Sequence, residues 1–274
     1  MKSLSYFLFF YFFCYNNVFL FAQKKEFKKN SIGFYSEIRS DTTNLKRFTE
    51  DNEIYKADYI FYYSLEYFDS NGIQRYYTHT GGDRKWDFIE KNDSTVVEYR
   101  MKVLPALEDS FLKIKDYAQT IIQYTFWQAD NNEQSVSEKT GLVENKKNIW
   151  LHPPRTDLCK ILELNPFPCI HFPLTIGKTW KGELTIGSVW GDERWITWDG
   201  KIINKYRYSI SGKCIIKSEL GALKCYKVKS VAKSALGKTY LTSYFNTQYG
   251  FVRYEYINID NSQILINLKK VDVK

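Results

Sequence analysis

The sequence lacks the short motifs that mark the common enzyme classes. It contains no GxSxG nucleophile elbow, no GxGxxG or P-loop phosphate cradle and no HExxH zinc motif. Only three of its 274 residues are histidine, His79, His152 and His171, and no two of them have the spacing of zinc ligands. We therefore expect no catalytic residues, no metal site and no cofactor.

Helical patterns are also scarce. No stretch longer than about ten residues combines an apolar helical period with caps, and the best candidate is a short helix near 105–112. Aromatic residues, by contrast, make up 18% of the chain. Because aromatic side chains fit a pleated, half-buried surface, the composition predicts an all-β fold. The succession of strand and turn signals predicts an antiparallel meander that forms a curved sheet or a partial barrel.

The N-terminus has the layout of a secretory signal peptide. Lys2 precedes an apolar run, Tyr6–Tyr15 (YFLFFYFFCY), and a second run, VFLFA, ends at Ala22 before the polar Gln23. A basic start, an apolar stretch and a small residue before a polar segment predict cleavage after Ala22. We expect an exported protein that is periplasmic, associated with the outer envelope or secreted, and that contacts the membrane only through this segment before cleavage.

Two alternatives for the N-terminus fit less well. An uncleaved anchor needs roughly 20 apolar residues in a row, and Asn16-Asn17 interrupt this run. A lipoprotein needs small residues before its cysteine, whereas Phe12-Phe13 precede Cys14. Both observations favour the cleaved signal peptide.

The net charge is +8. Most of the positive residues are spread along predicted strands, as at Lys201, Lys205 and Arg207. Such spacing is typical of a solvated sheet face and not of a nucleic-acid patch. A dense run at 24–29 is typical of a flexible mature N-terminus. We expect no nucleic-acid partner, and the partner classes that remain open are a glycan or a lipid.

Four cysteines follow the signal segment: Cys159, Cys169, Cys214 and Cys225. They allow three disulfide pairings or a set of buried free thiols. For Cys214 and Cys225 we count side-chain alternation on the two strands that flank a three-residue turn at Glu219–Gly221. This count predicts that the two cysteines lie on opposite faces, although a β-bulge would bring them together.

The strand signals suggest a division of the chain into three parts. These are the signal peptide at 1–22, a polar linker or arm at 23–52 and a single β-rich domain at 53–274, with 53–148 and 149–274 as two subdomains in an alternative division. Residues 128–148 are polar and predict a loop with one edge strand. The proline-containing segments at 150–155 and 165–168 predict an irregular crossing segment, packed across the sheet or marking a domain boundary.

The last third of the chain has the most regular pattern. Strand signals lie near 179–187, 205–218, 223–233, 239–246, 250–257 and 263–271, separated by glycine- and asparagine-containing turns. The segments HPPR, LELNPFP, GKTW, WGDERWITWDG and YGFVRYEYINID lie between residues 150 and 260. Over about residues 150–274, the chain resembles exported β-rich proteins of unassigned function from the Bacteroidota. This resemblance implies an envelope or secreted location and supplies no active site.

The densest candidate site is a tryptophan- and glycine-rich stretch at 180–200. We select Trp190, Trp195 and Trp198 as residues that could stack on a ligand, with Asp192 and Arg194 as polar partners. The alternative is that these indoles fill the core.

Three functions remain open after this reading of the sequence. The first is a non-catalytic exported module that binds a ligand or builds structure. The second is an extracellular glycan-binding protein or hydrolase that uses the tryptophan-rich stretch. The third is a periplasmic carrier of an apolar ligand, which requires an apolar cavity inside the sheet.

Overall fold

The computed structural model describes residues 25–39, 43–81, 85–108, 111, 117–130 and 133–273, with the side chains of 133–136 excepted. The predicted signal peptide at 1–22 lies outside these residues. Of the short helix predicted near 105–112, residues 109, 110 and 112 also lie outside them, and residues 105–108 are not helical. Among the described residues, no helix is long and apolar enough to cross a bilayer.

Sixteen strands make up most of the described chain. The first nine are β1 (Glu26–Lys29), β2 (Tyr35–Ile38), β3 (Ile60–Phe68), β4 (Gln74–His79), β5 (Trp86–Ile89), β6 (Val96–Val103), β7 (Thr120–Gln128), β8 (Glu133–Asn145) and β9 (Asn148–Leu151). The other seven are β10 (Cys169–His171), β11 (Thr179–Gly187), β12 (Lys201–Ser218), β13 (Gly221–Ser234), β14 (Gly237–Asn246), β15 (Gly250–Ile257) and β16 (Gln263–Asp272). Two 3-10 helices, Asp157–Leu164 and Ser188–Trp190, lie between strands.

The strands form one large antiparallel sheet, which confirms the predicted all-β fold. Its main path runs β10-β9-β8-β7-β6-β3-β16-β15-β14-β13-β12-β11, with β4 paired to β3 and β5 paired to β4, and β1 and β2 form a separate hairpin. The alternation that predicted strands also sets which side chains face inward. In β3, for example, every second residue from Phe61 to Tyr67 is buried.

Tyrosine rings fill much of the concave side of the sheet. Tyr63 of β3 stacks on Tyr99 of β6 with 5.0 Å between the ring centres, and Tyr99 meets Tyr124 of β7 edge to face at 5.4 Å. Tyr254 of β15 lies 5.9 Å from Tyr63. Aromatic side chains from strands in both halves of the sequence therefore pack in a single interior.

The proline-containing segment between β9 and β10 crosses this concave side, as predicted. The Leu164 carbonyl at the end of the first 3-10 helix accepts hydrogen bonds from Asn204 Nδ2 and Thr239 Oγ1, both at 2.8 Å. At the other end, the His152 carbonyl accepts one from the Tyr124 hydroxyl at 2.7 Å. The crossing segment, residues 152–168, is thus attached to β7, β12 and β14 at once.

The interpretation of residues 128–148 as a loop with one edge strand is wrong. Strand β8 occupies 13 residues of this region and pairs on both sides, with β7 and with β9. Its polar residues bind other segments of the chain. Glu144 accepts hydrogen bonds from the backbone N–H groups of residues 53–55, and Asn145 Nδ2 donates to the Tyr35 carbonyl. The polar composition led to the wrong prediction, because these polar groups make hydrogen bonds with other parts of the protein and not with water.

The predicted register of the β12–β13 hairpin is also wrong. The turn contains two residues, Glu219-Leu220, because Ser218 pairs directly with Gly221. Counting from this pair places Cys214 directly opposite Cys225. Gly221 has φ +99°, the left-handed conformation expected of it.

The hairpin formed by β1 and β2 bridges the two ends of the sheet. In its turn, the Ser31 carbonyl accepts a hydrogen bond from the Glu183 N–H of β11 at 2.7 Å. On the opposite end strand, β10, the His171 ring stacks on Trp180 of β11 at 4.8 Å and lies 5.6 Å from the Tyr35 ring of β2. The division of the chain into an arm and one or two domains stays a prediction.

Candidate ligand site

A cavity of about 350 Å³ lies between the crossing segment, β8 and the end of β11. The crossing segment provides three ionisable groups of its wall, β8 provides a lysine, and the second 3-10 helix provides an indole. The lining residues that bear on its chemistry are Lys139, His152, Arg155, Glu163 and Trp190.

His152 and Glu163 form a buried acid–base pair in this cavity. The imidazole Nδ1 lies 2.7 Å from the Pro153 carbonyl, which can only accept, so Nδ1 carries the proton. In the neutral ring, Nε2 then presents its lone pair to Glu163 Oε1, at a distance of 3.3 Å.

Burial drives both groups toward their neutral forms. It raises the pKa of Glu163 to about 8, against a weaker opposing effect of Arg155. It lowers the pKa of His152 to about 3, and the nearby Arg155 acts in the same direction. At pH 7 the pair is therefore a carboxylic acid beside a neutral imidazole. Such a pair binds hydroxyl groups well because it offers a donor and acceptors without a fixed charge.

Glu163 keeps hydrogen-bonding capacity that the protein does not use. Its Oε1 has no well-aligned hydrogen-bond partner among the described residues, because the 3.3 Å contact with His152 is long and poorly directed. An unsatisfied polar atom of this kind is costly in a folded protein unless a ligand or water completes it.

Trp190 and Arg155 contact each other in the wall of the cavity. The Arg155 guanidinium lies 5.6 Å from the centre of the Trp190 ring, within cation–π range. Trp190 ends the short 3-10 helix that follows β11, and its side chain is half-buried. A flat indole beside a cation and a neutral acid is a suitable wall for a ring that carries hydroxyl groups.

The other residues selected from the sequence lie elsewhere. Trp195 stacks on Trp86 of β5 at 6.1 Å, and the Arg194 guanidinium lies 3.7 Å above the same Trp86 ring. Arg194 also binds both carboxylate oxygens of Asp192 at 2.8 Å. These three residues fix the loop to β5. Trp198 is half-buried, and of the five selected residues Trp190 alone lines the cavity.

Sequence reasoning did not select His152, Arg155 or Glu163 as site residues. The signal that could have identified the site was Glu163 itself, a lone acid between Leu162 and Leu164 in an apolar run.

A second buried pair lies at the start of the 3-10 helix. His79 Nδ1 of β4 is 3.3 Å from both carboxylate oxygens of Asp157, whose backbone has φ +52°. Burial raises the pKa of Asp157, and the charge of His79 opposes the rise. Within the part of the chain that the structure describes, no group of three His, Cys, Asp or Glu side chains is arranged to hold a metal ion.

A larger cavity, of about 620 Å³, lies between the N-terminal hairpin and the β8–β9 turn. Its wall combines apolar side chains, such as Phe172 and Phe245, with charged groups that include Lys25, Glu53 and Lys146.

No protein-family model and no curated protein matches the chain. It is similar to a protein from Bacteroides fragilis described as exported, with a YmcC-like fold, at 12% identity and a TM-score of 0.38, over 80% of this chain and 98% of that one. It is also similar to a protein from Parabacteroides distasonis described as a lipoprotein, at 11% identity and a TM-score of 0.38, over 80% and 97% of the two chains. A third similar structure is the hypothetical lipoprotein YmcC from Escherichia coli, at 11% identity and a TM-score of 0.35, over 80% and 91%.

Proposed function

We propose that this protein is an exported, non-catalytic binding module whose ligand is a sugar ring of a glycan. The observation that carries the proposal is the 350 Å³ cavity, in which the buried acid–base pair of Glu163 and His152 lies near the indole of Trp190. The signal-peptide layout of the N-terminus supports export.

The charge state of the cavity favours a hydroxyl-bearing ligand. A neutral carboxylic acid can donate to one hydroxyl group and accept from another, and the indole can pack against the apolar face of a sugar ring. The concave interior is an unsuitable place for an apolar ligand, because tyrosine rings and the crossing segment fill it. This favours a glycan over the lipid that the sequence left open.

The arrangement of acids favours binding over hydrolysis. A glycosidase needs two carboxyl groups on either side of the scissile bond. Both oxygens of Glu138 are used by the crossing segment, since they accept from the Arg155 N–H and the Thr156 hydroxyl at 2.7 Å. Asp192 is paired with Arg194 outside the cavity. Among the described residues that line the cavity, Glu163 is the only one with a carboxyl group.

Calorimetric titration of the full chain with a panel of soluble neutral oligosaccharides tests the proposal. We expect one class of sugar to bind and Trp190→Ala to weaken that binding at least tenfold, or about 1.4 kcal/mol. Val189→Ala is the matched control, because Val189 precedes Trp190 in the same 3-10 helix and is 62% exposed.

Two results would contradict the proposal. The first is the absence of heat with every sugar in the panel while phospholipid vesicles or detergent-solubilised fatty acids bind. The second is sugar binding that Trp190→Ala leaves unchanged, since the ligand would then occupy another surface.

A further inference from the structure

We propose that Cys214 and Cys225 form a disulfide bond across the β12–β13 hairpin. The two residues are direct partners in the antiparallel ladder. Residues that face each other in such a ladder have Cα atoms about 4.5–5.5 Å apart. Disulfide-bonded cysteines have Cα atoms about 4.4–6.8 Å apart, so no movement of the backbone is needed.

The side chains of the two cysteines also point to the same side of the hairpin. The next pair toward the turn on that side is Ile216 and Leu223, and Leu223 is buried. Cys225 is buried as well, and Cys214 is half-buried. Burial raises the pKa of Cys225 to about 12, and the neighbouring Cys214 adds to the rise. The two sulfur atoms therefore share one apolar environment.

The remaining cysteines are placed differently. Cys169 of β10 lies opposite Trp150, and Cys159 belongs to the 3-10 helix of the crossing segment. Both are fully buried, so neither is open to an oxidant in the folded protein. The β12–β13 pair thus combines the facing geometry with an accessible member.

The reaction is an exchange with an external disulfide, such as glutathione disulfide or the active disulfide of an extracytoplasmic dithiol oxidase. The Cys214 thiolate attacks that disulfide, forms a mixed disulfide and releases one thiol. The Cys225 thiolate then attacks the Cys214 sulfur and releases the second thiol. Two cysteine thiols are oxidised, one external disulfide is reduced, and the two thiol protons end on the released thiols or in solvent.

The position of the bond gives it a structural role. Pairing of β12 with β11 ends at Ser209, and pairing of β13 with β14 ends at Tyr226. Between these points and the turn, the hairpin has no neighbouring strand in the described sheet. A disulfide at Cys214–Cys225 would join the two strands of this part of the hairpin, which no third strand extends.

Thiol counting after controlled oxidation tests the proposal and does not depend on export. The purified full chain is reduced, transferred to a buffer with excess glutathione disulfide, denatured and labelled with a maleimide–polyethylene glycol. Cys14 is left out of the count, because glutathione blocks it independently of the other four cysteines. Among those four we expect two fewer labels than in the reduced protein, and we expect non-reducing peptide mapping to join the peptides of Cys214 and Cys225.

Single substitutions separate the two steps. In Cys225→Ser the mixed disulfide on Cys214 has no thiol to resolve it, so we expect a stable glutathione adduct at Cys214. In Cys214→Ser we expect the thiol count to be the same with and without oxidant. An unchanged count in the wild-type protein, or a bond mapped to Cys159 or Cys169, would overturn the proposal whether or not the variants fold.

Discussion

Glu163 and His152 show how burial can decide the chemistry of a site. On the surface these side chains would form an ion pair at neutral pH, whereas here burial leaves both neutral. The loss of charge keeps a polar cavity inside an aromatic protein without the large cost of burying an ion pair.

This charge state predicts a fall in stability as pH rises. The pKa of Glu163 is about 8 in the folded protein against an ordinary 4.5, so the folded state holds a proton that the unfolded state has lost. That contribution is complete below pH 4.5 and is lost as pH approaches 8. His152, with a folded pKa of about 3 against 6.5, acts in the opposite direction and only below about pH 6.5. Between pH 6.5 and 8 the Glu163 effect remains, and we expect it to lower the free energy of unfolding by roughly 2 kcal/mol.

Glu163→Gln provides the measurement, because glutamine imitates the neutral acid at every pH. In urea titrations we expect the wild-type protein to lose stability from pH 6.5 to 8 and the variant to lose roughly 2 kcal/mol less over the same range. Other buried acids, such as Glu138, remain in both proteins, so the difference reports Glu163 alone. Equal slopes in the two proteins would mean that Glu163 is ionised in the folded state at neutral pH.

Of the residues that line the candidate cavity, sequence reasoning selected Trp190 and did not select Glu163 or His152. Trp190 was selected because tryptophan and glycine cluster there, which is visible in a local window. Glu163 and His152 are 11 positions apart and meet only because the crossing segment folds back on itself. The lone acid between two leucines marks Glu163 as unusual, but its pairing with His152 depends on the tertiary structure and no local pattern reports it.

At the scale of the elements, the N-terminal hairpin approaches β11 so closely that position 182 has room only for glycine. A Cβ atom added at Gly182 would lie 1.9 Å from the Ile32 carbonyl oxygen. Backbone lies on both sides of this contact, so a methyl group there must push the hairpin away from the sheet.

We therefore expect Gly182→Ala to destabilise the protein by about 2 kcal/mol in urea denaturation. Gly212→Ala is the matched control, since a Cβ at that position on the neighbouring strand β12 has no atom within 4 Å. The control should change stability by less than about 0.5 kcal/mol. Equal effects of the two substitutions would show that the hairpin does not hold this position in solution.

The same scale shows which elements the sequence could predict. The strands β11 and β15 begin and end where the sequence signals place them, because turn residues mark their ends. Strand β8 was missed because its polar residues bind other segments. The register at Cys214 was wrong by one residue, and one residue is enough to move a side chain to the other face of a sheet.

For the whole molecule, the central fact is that β3 and β16 are neighbours. Residues 60–68 pair along their full length with residues 263–272, so the two halves of the chain share one sheet and one interior. We expect a single cooperative unfolding transition, with coincident midpoints in tryptophan fluorescence and far-ultraviolet circular dichroism. Two separated transitions would instead support the alternative of two subdomains at 53–148 and 149–274.

The N-terminal hairpin formed by β1 and β2 protects the sheet against aggregation. Strands β10 and β11 end the main path of the sheet, and an uncovered end strand is a template on which another chain can add its own strand. The N-terminal hairpin occupies this place, because the Ser31 carbonyl accepts a hydrogen bond from Glu183 of β11 and the Tyr35 ring contacts His171 of β10. A chain that loses this contact would expose β10 and β11 as two edge strands at once. We would then expect its copies to pair edge to edge before the rest of the sheet unfolds.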